Sequence, residues 1–184
     1  MLLCGVDEAG RGPIAGPVTA AAVILPEDFP TEVLADSKAL TPDQREQAAG
    51  LIRARALALA TGWATPQEID RLNIHRATLL AMARALGRLG LRPDLVLVDG
   101  LFTPPVDLPC RAVVRGDSSV PAIMAASIIA KTVRDRWMRL YARREPLYGF
   151  EQHKGYPTPG HRQKVRQFGL SPIHRRSFRI SPPG

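Results

Sequence analysis

Short apolar runs alternate along this chain with longer stretches in which apolar residues recur at every third or fourth position. That alternation predicts strands interleaved with helices. Leu2 to Val6 reads as a buried strand running into Asp7 and Glu8. Gly10-Arg11-Gly12-Pro13 is a turn signal, and Pro17 to Leu25 reads as a second strand that forms a hairpin-like pair with the first. Pro26 to Ser37 reads as a loop. Thr41, followed by Pro42 and Asp43, has the character of a helix start and predicts a helix to about Ala58, with a short strand near Leu59 to Ala64. Thr65-Pro66-Gln67-Glu68 opens another short helix by the same logic. Ile74, Ala77, Leu80, Ala81 and Leu86 mark an amphipathic helix over 73–88 that ends at Gly87 or Gly90.

Leu95 to Val98 is a continuous apolar run of strand length before Asp99-Gly100, as expected of a central strand covered on both faces. Arg111 to Arg115 is a further strand candidate. Val120 to Arg144 is the longest helix, with Ile123, Ala126, Ala130, Val133, Trp137 and Tyr141 on its apolar face. A short helix follows near His161 to Phe168. The class is therefore α/β with a mixed sheet. Residues 1–145 show no linker and read as one catalytic domain. Residues 146–184, rich in Gly, Pro, His and Arg, are too short for a core of their own and read as a basic segment packed on it.

Charge changes this picture. The 184 residues carry a net charge of +8, but residues 1–110 hold 10 basic and 13 acidic side chains, and residues 111–184 hold 15 basic and 4 acidic. An excess confined to the last two fifths of the chain points to a polyanionic partner. The N-terminal stretch lacks the basic region of a signal peptide, and no apolar stretch is long enough to span a membrane. Cys4 and Cys110 lie far apart without a CxxC pair, as expected of reduced thiols in a cytoplasmic protein.

Four carboxylates stand out by position. Asp7 and Glu8 close the first strand, Asp99 closes the most hydrophobic one, and Asp117 precedes the longest helix. Strand ends next to helix starts are where α/β folds place their chemistry. Several acids converging without His or Cys select hard ions, Mg²⁺ or Mn²⁺ rather than zinc. Two such ions about 4 Å apart are the standard arrangement for phosphodiester displacement. Asp117 also has the position of a helix cap, and Asp99-Gly100 that of a plain turn. Adjacent Asp7 and Glu8 point to opposite faces of a strand, so they share one site only where the strand ends or bends, and Gly10 supplies a bend.

The stretch GVDEAGRGPIAGPVTAAAVIL, with DSKAL at 36–40, LNIHRAT at 72–78, VDG at 98–100, GDSSVPAIMAASIIAK at 116–131, RDR at 134–136, YGFEQHKGYPT at 148–158 and HRRSF at 174–178, closely resembles the ribonuclease HII family over nearly the whole chain and in consistent order. The resemblance implies a ribonuclease H-like fold. It implies metal-dependent endonucleolysis of the RNA strand of RNA–DNA hybrids and incision at single ribonucleotides in duplex DNA, leaving 3′-hydroxyl and 5′-phosphate ends. Carried over by motif, the catalytic and metal-binding acids are Asp7, Glu8, Asp99 and Asp117, with Asp7 shared by two ions. Gly10, Arg11 and Gly12 match the family's ribose reader, whose glycines let backbone groups approach the 2′-hydroxyl. Tyr156 matches the tyrosine at the ribonucleotide–deoxyribonucleotide junction. Ser37 and Lys38 match a phosphate-contacting loop, in which Ala39 stands where the family usually has a second lysine. Asn73 matches a polar position near the substrate, and a helix N-cap is its other reading.

Lys131 and Arg134 face either phosphate or solvent, Asp135 pairs with neighbouring arginines, and His153, His161 and His174 are expected to be solvated or to contact phosphate. Tyr141 and Tyr148 are expected to pack. A ribonuclease HIII-like hybrid nuclease is the nearest alternative; that family carries an additional N-terminal domain, for which the six residues before Asp7 leave no room. A non-catalytic nucleic-acid-binding module on the same fold is expected to lose acids, and all four are present. A monomer is the default expectation.

Overall fold

The computed structural model describes residues 1–34 and 39–179. Five strands form one mixed sheet: β1 (Leu3–Ala9), β2 (Val18–Ile24), β3 (Ala58–Ala64), β4 (Leu95–Asp99) and β5 (Cys110–Val113), in the order β3-β2-β1-β4-β5. β1 to β3 form an antiparallel meander, whereas β4 and β5 join β1 in parallel, with Val6 opposite Val98 and Asp99 opposite Val113. β1 is therefore the middle strand. The run at Leu95 to Val98 is interior but not central, and one face of it is only half-buried. Val96 and Val98 enter the core while Leu95 and Leu97 stay partly exposed. The fully buried strand is β2, all seven residues of Val-Thr-Ala-Ala-Ala-Val-Ile.

Helices cover both faces. The chain order is α1 (Pro42–Arg55), α2 (Pro66–Leu72), α3 (Ile74–Gly87), α4 (Pro121–Ala142), α5 (Phe150–His153) and α6 (Pro159–Phe168). Cys4 and Val6 of β1, alternate residues of β2 and the α3 face of Ala77, Ala81 and Ala85 make one core layer. Ala21, Val23, Ala49 and Ile52 make the other with Ala125, Ile128 and Ile129 of α4. Small residues on β1 and β2 let helix backbones approach. At Gly5 a Cβ would overlap the Ala122–Ile123 peptide, so α4 crosses β1 closely enough to bring its first turns beside the carboxylates at the strand's end.

Local chemistry sets the helix starts. Thr41 and Thr65 each form a capping box, with Gln44 and Glu68 respectively, ahead of a proline. α1 stops at Arg55, short of the predicted Ala58, because Leu57 N–H leaves the helix to bond Ile24 O of β2. The predicted loop over 26–37 contains a 3₁₀ turn at Thr31–Val33, and its last three residues lie outside the described ones. Cys4 and Cys110 are free thiols, and burial pushes Cys4 up to about 12.

The apolar stripe read along α4 holds only for its first half. There Ile123, Ala126 and Ala130 are buried, but further on the inward line is Arg134, Met138 and Ala142, with Trp137 and Tyr141 half-buried and stacked on each other at 5.1 Å. A third apolar cluster explains the shift. Met138 and Ala142 pack with Ala15, Tyr148, Phe150 and Ile173, which fastens the C-terminal segment to the far half of α4. Backbone hydrogen bonds add to it: Ile14 N–H to Gly155 O at 2.9 Å, Gly16 N–H to Ile173 O at 2.8 Å and Arg175 N–H to Ile14 O at 2.8 Å. Among the described residues, no helix is long and apolar enough to cross a membrane.

Candidate active site

The C-terminal ends of β1 and β4, the 3₁₀ turn at Gly116–Ser118 and the first turns of α4 meet in an open cleft of about 300 Å³. Asp7, Glu8, Gly10, Arg11, Gly12, Arg45, Asp99, Asp117, Ser127, Lys131 and Tyr156 line it. Carboxylate oxygens of Asp7, Asp99 and Asp117 lie within 4.8 Å of one another. Asp117 arrives there because its own N–H bonds Asp99 Oδ1 at 3.2 Å, which ties the 3₁₀ turn to the end of β4. It is not the cap of α4, whose N-cap is Val120. The Asp99-Gly100 turn reading and the acid-site reading hold together, since Gly100 has φ 101° directly after the carboxylate.

Glu8 differs from the other three. β1 keeps its pairing through Ala9, yet the Glu8 side chain reaches the same cleft as Asp7, within hydrogen-bonding reach of it and in the field of Asp99. Asp7 faces α4, where it accepts a hydrogen bond from Ser127 and, within the strand, one from Glu8 N–H at 2.7 Å. Glu8 sits at the cleft rim, outside the group of three, and pairs with Arg11 at 3.3 Å. Burial, then the charges of Glu8 and Asp99, push the Asp7 carboxyl well above the usual carboxylate range. Burial also raises Glu8, against the pull of Arg11. A crowded, desolvated acid group of this kind fits a hard divalent cation, whose charge would relieve the repulsion. Oxygen-only donors match Mg²⁺ or Mn²⁺.

The Gly10-Arg11-Gly12 turn is held from behind. Arg175 donates to the carbonyls of Gly10 (2.5 Å), Arg11 (2.9 Å) and Gly16 (2.9 Å), and Arg134 donates to Ala15 (3.1 Å), Pro17 (2.9 Å) and Lys154 (3.0 Å). Both guanidiniums are buried, and burial lowers Arg134 to about 10 and Arg175 to about 9. Gly10, with φ 94°, must be glycine for a second reason: a Cβ would overlap the Arg134 guanidinium. With the carbonyls drawn inward, the turn offers its outer edge to the cleft. Tyr156 closes that side, its ring against Gly12 and under Lys131 Nζ at 5.7 Å, while Lys131 pairs with Asp135 at 3.0 Å.

Several expectations change here. Arg134 faces neither phosphate nor solvent, because three carbonyls from two separate segments enclose it. Asp135 takes Lys131 rather than an arginine. His161 and His174 are buried, and His153 is half-buried and stacked on His161, so none of the three is a solvated tail residue. Asn73 caps α3 through Arg76 N–H at 3.0 Å and does not line the cleft. Ser37 and Lys38 lie outside the described residues. Ser127, Arg45 and Arg175 were not singled out from the sequence. Serine mid-helix and arginine in a basic tail carry no signal that distinguishes them from ordinary surface residues.

A mixed five-stranded sheet with acids gathered at the ends of its two middle parallel strands defines the class: a metal-dependent nuclease of the ribonuclease H-like fold. The ribonuclease HII family model matches residues 4–181. A ribonuclease HII from Laribacter hongkongensis is 56% identical over 178 residues, covering 96% of this chain and 90% of that protein. Among solved structures, ribonuclease H2 from Pyrococcus horikoshii superposes with a TM-score of 0.83 at 28% identity, over 98% of this chain and 95% of that one. A Bst ribonuclease HIII shares the fold at 18% identity and a TM-score of 0.76, with 98% of this chain covering 68% of that one. The chain belongs to the ribonuclease HII family. It is accordingly a metal-dependent endoribonuclease acting on RNA–DNA hybrids and on ribonucleotides in DNA.

Proposed function

We propose that the enzyme incises 5′ of single ribonucleotides embedded in duplex DNA, as well as cutting the RNA strand of hybrids, and leaves 3′-hydroxyl and 5′-phosphate ends. The observation that carries this reading is the juxtaposition, in one cleft, of the three-aspartate group with the Gly10–Gly12 turn and Tyr156. Asp7, Glu8, Asp99 and Asp117 would hold the divalent ions, with Asp7 on the middle strand shared between two of them. When bound, the ions supply a water-derived nucleophile at neutral pH and charge neutralisation at the leaving oxygen. Glu8 lines the same cleft and also pairs with Arg11 at its rim.

The remaining residues bind and select. The Gly10–Gly12 backbone reads the 2′-hydroxyl, the one group that distinguishes RNA from DNA at a single nucleotide. Tyr156 packs on the following deoxyribose, which has no hydroxyl to obstruct the ring. Arg11, Arg45 and Lys131 surround the acids with positive charge suited to the flanking phosphates. Ser37, Lys38 and Asn73 contact the substrate backbone. The deciding experiment is cleavage of a DNA duplex containing one ribonucleotide, with Mg²⁺, with Mn²⁺ and with chelator. A single cut 5′ of the ribonucleotide, dependent on added metal, is expected. An uncut duplex alongside a cleaved uniform hybrid overturns the single-ribonucleotide reading.

A further inference from the structure

Around the backbone of Tyr156 three of the four histidines gather. The His153 and His161 rings stack at 4.0 Å with planes 12° apart, and His161 Nε2 lies 3.0 Å from His174 Nε2. Neighbouring backbone groups determine where the protons sit. His174 Nδ1 is 2.9 Å from Ser171 N–H, which can only donate, so that nitrogen is bare and the proton of a neutral ring is on Nε2. His161 Nδ1 is 2.8 Å from the Tyr156 carbonyl, which can only accept, so His161 carries its proton on Nδ1 and leaves Nε2 bare. The contact between the two Nε2 atoms then has one donor and one acceptor. Two independent ends of the chain require the same assignment. Burial keeps both rings neutral at ordinary pH by lowering each to about 4. With each ring nitrogen of this pair engaged, a metal ion has no free lone pair to take.

The relay ends on the backbone of the residue whose ring faces the cleft. Tyr156 O accepts from His161 Nδ1 and from Thr158 N–H at 2.8 Å, and Tyr156 N–H donates to His153 O at 2.9 Å. His153 is itself held at both nitrogens, by Gly155 N–H on Nδ1 (3.1 Å) and by Tyr148 O on Nε2 (2.9 Å). The main chain of Tyr156 is thus anchored while its side chain stays 41% exposed.

We propose that His161, with its proton placed on Nδ1 by His174, is a positioning residue for Tyr156, and that incision at a ribonucleotide–deoxyribonucleotide junction depends on this relay. The inference rests on the reading of Tyr156 given under the proposed function. Asparagine at 161 sets an amide N–H near the place of Nδ1, whereas phenylalanine fills the space with no donor.

The test uses the full-length enzyme and has two readouts. Long-range ¹H–¹⁵N correlation spectra of histidine-labelled protein should show Nδ1–H on His161 and Nε2–H on His174. For a single-ribonucleotide duplex, His161→Phe should lower kcat by about tenfold with KM within about twofold. His161→Asn should recover most of the loss, and in a Tyr156→Ala background His161→Phe should cost less than about twofold more. If Tyr156→Ala alone cleaves like the wild type, the reading of Tyr156 falls and the relay with it. If Tyr156→Ala is impaired but His161→Phe costs the same factor in both backgrounds, the relay alone is overturned. Spectra that place the His161 proton on Nε2 overturn it as well.

Discussion

Asp7, Asp99 and Asp117 in front of the Gly10–Gly12 turn, and Arg134 and Arg175 behind it, are both buried or half-buried groups of one charge sign, yet they are completed differently. The guanidiniums find their partners inside the chain. Five of the six carbonyls they hold lie within residues 10–17 and the sixth is that of Lys154, so each arginine is satisfied without a carboxylate and ties a distant part of the chain to the N-terminal turn. Asp7 and Asp99 accept from neutral donors, Ser127 and two backbone N–H groups. Their cleft places Arg11 on Glu8 and Lys131 on Asp135. The difference shows how a folded chain separates structure from function. A like-charged group closed by backbone is scaffold, and one left in mutual repulsion is where an ion or substrate belongs.

Substitutions on the two sides should separate them. The largest effect is expected for Asp7→Asn. Cleavage should fall by about a thousandfold or more, while hybrid affinity, measured by fluorescence anisotropy, should stay within about threefold of wild type. Residual cleavage near the wild-type rate would remove Asp7 from the site. Arg175→Met should act the other way, costing about 3–5 kcal/mol of unfolding free energy in urea because three carbonyls lose their donor. A stable Arg175→Met enzyme would mean that the turn does not need its rear support.

Acid titration gives the next contrast. His161 and His174 have folded values of about 4 against an ordinary 6.5, so between those values the unfolded chain binds protons that the folded chain refuses. Their stabilisation is complete above about pH 6.5 and is lost as pH falls to about 4, by about 3 kcal/mol for each ring at most. The raised Asp7 carboxyl has the opposite sign, favouring the fold at low pH and losing that contribution as pH rises through its folded value. Urea melts from pH 7 to pH 4 on wild type and His174→Gln should show the histidine share shrinking in the variant. The smallest effect belongs to Arg11→Ala. Its pair with Glu8 is half exposed, so stability should move by less than about 1 kcal/mol, while hybrid binding loses salt dependence equal to about one phosphate contact.

Much of the scaffold was legible because its signals are local. Threonine–proline starts with Gln44 and Glu68 three residues on marked α1 and α2, and the alternation of apolar runs marked the strands. The acids were legible for a related reason: a carboxylate directly after a buried strand is conspicuous by the desolvation it faces. Arg134 and Arg175 were not, since their partners are carbonyls as much as 165 positions away. The same holds for α4 beyond Ala130. Its inward line there is set by the C-terminal segment, and periodicity within the helix contains no record of a neighbour 30 residues later.

The sequence by itself determined the α/β class, the family motifs in order, the charge asymmetry and the identity of the four acids, because each depends on residues close together in the chain or on composition. Only the tertiary structure decided which acids converge. The end of β1 carries Asp7 and Glu8 into one cleft, and the hydrogen bond from Asp117 N–H to Asp99 joins a turn to the end of β4 that no spacing connects. It also turned part of the basic tail into interior. Arginine and histidine side chains read as solvated when only their own neighbours are known, and burial becomes possible once distant carbonyls supply the partners that water would otherwise provide.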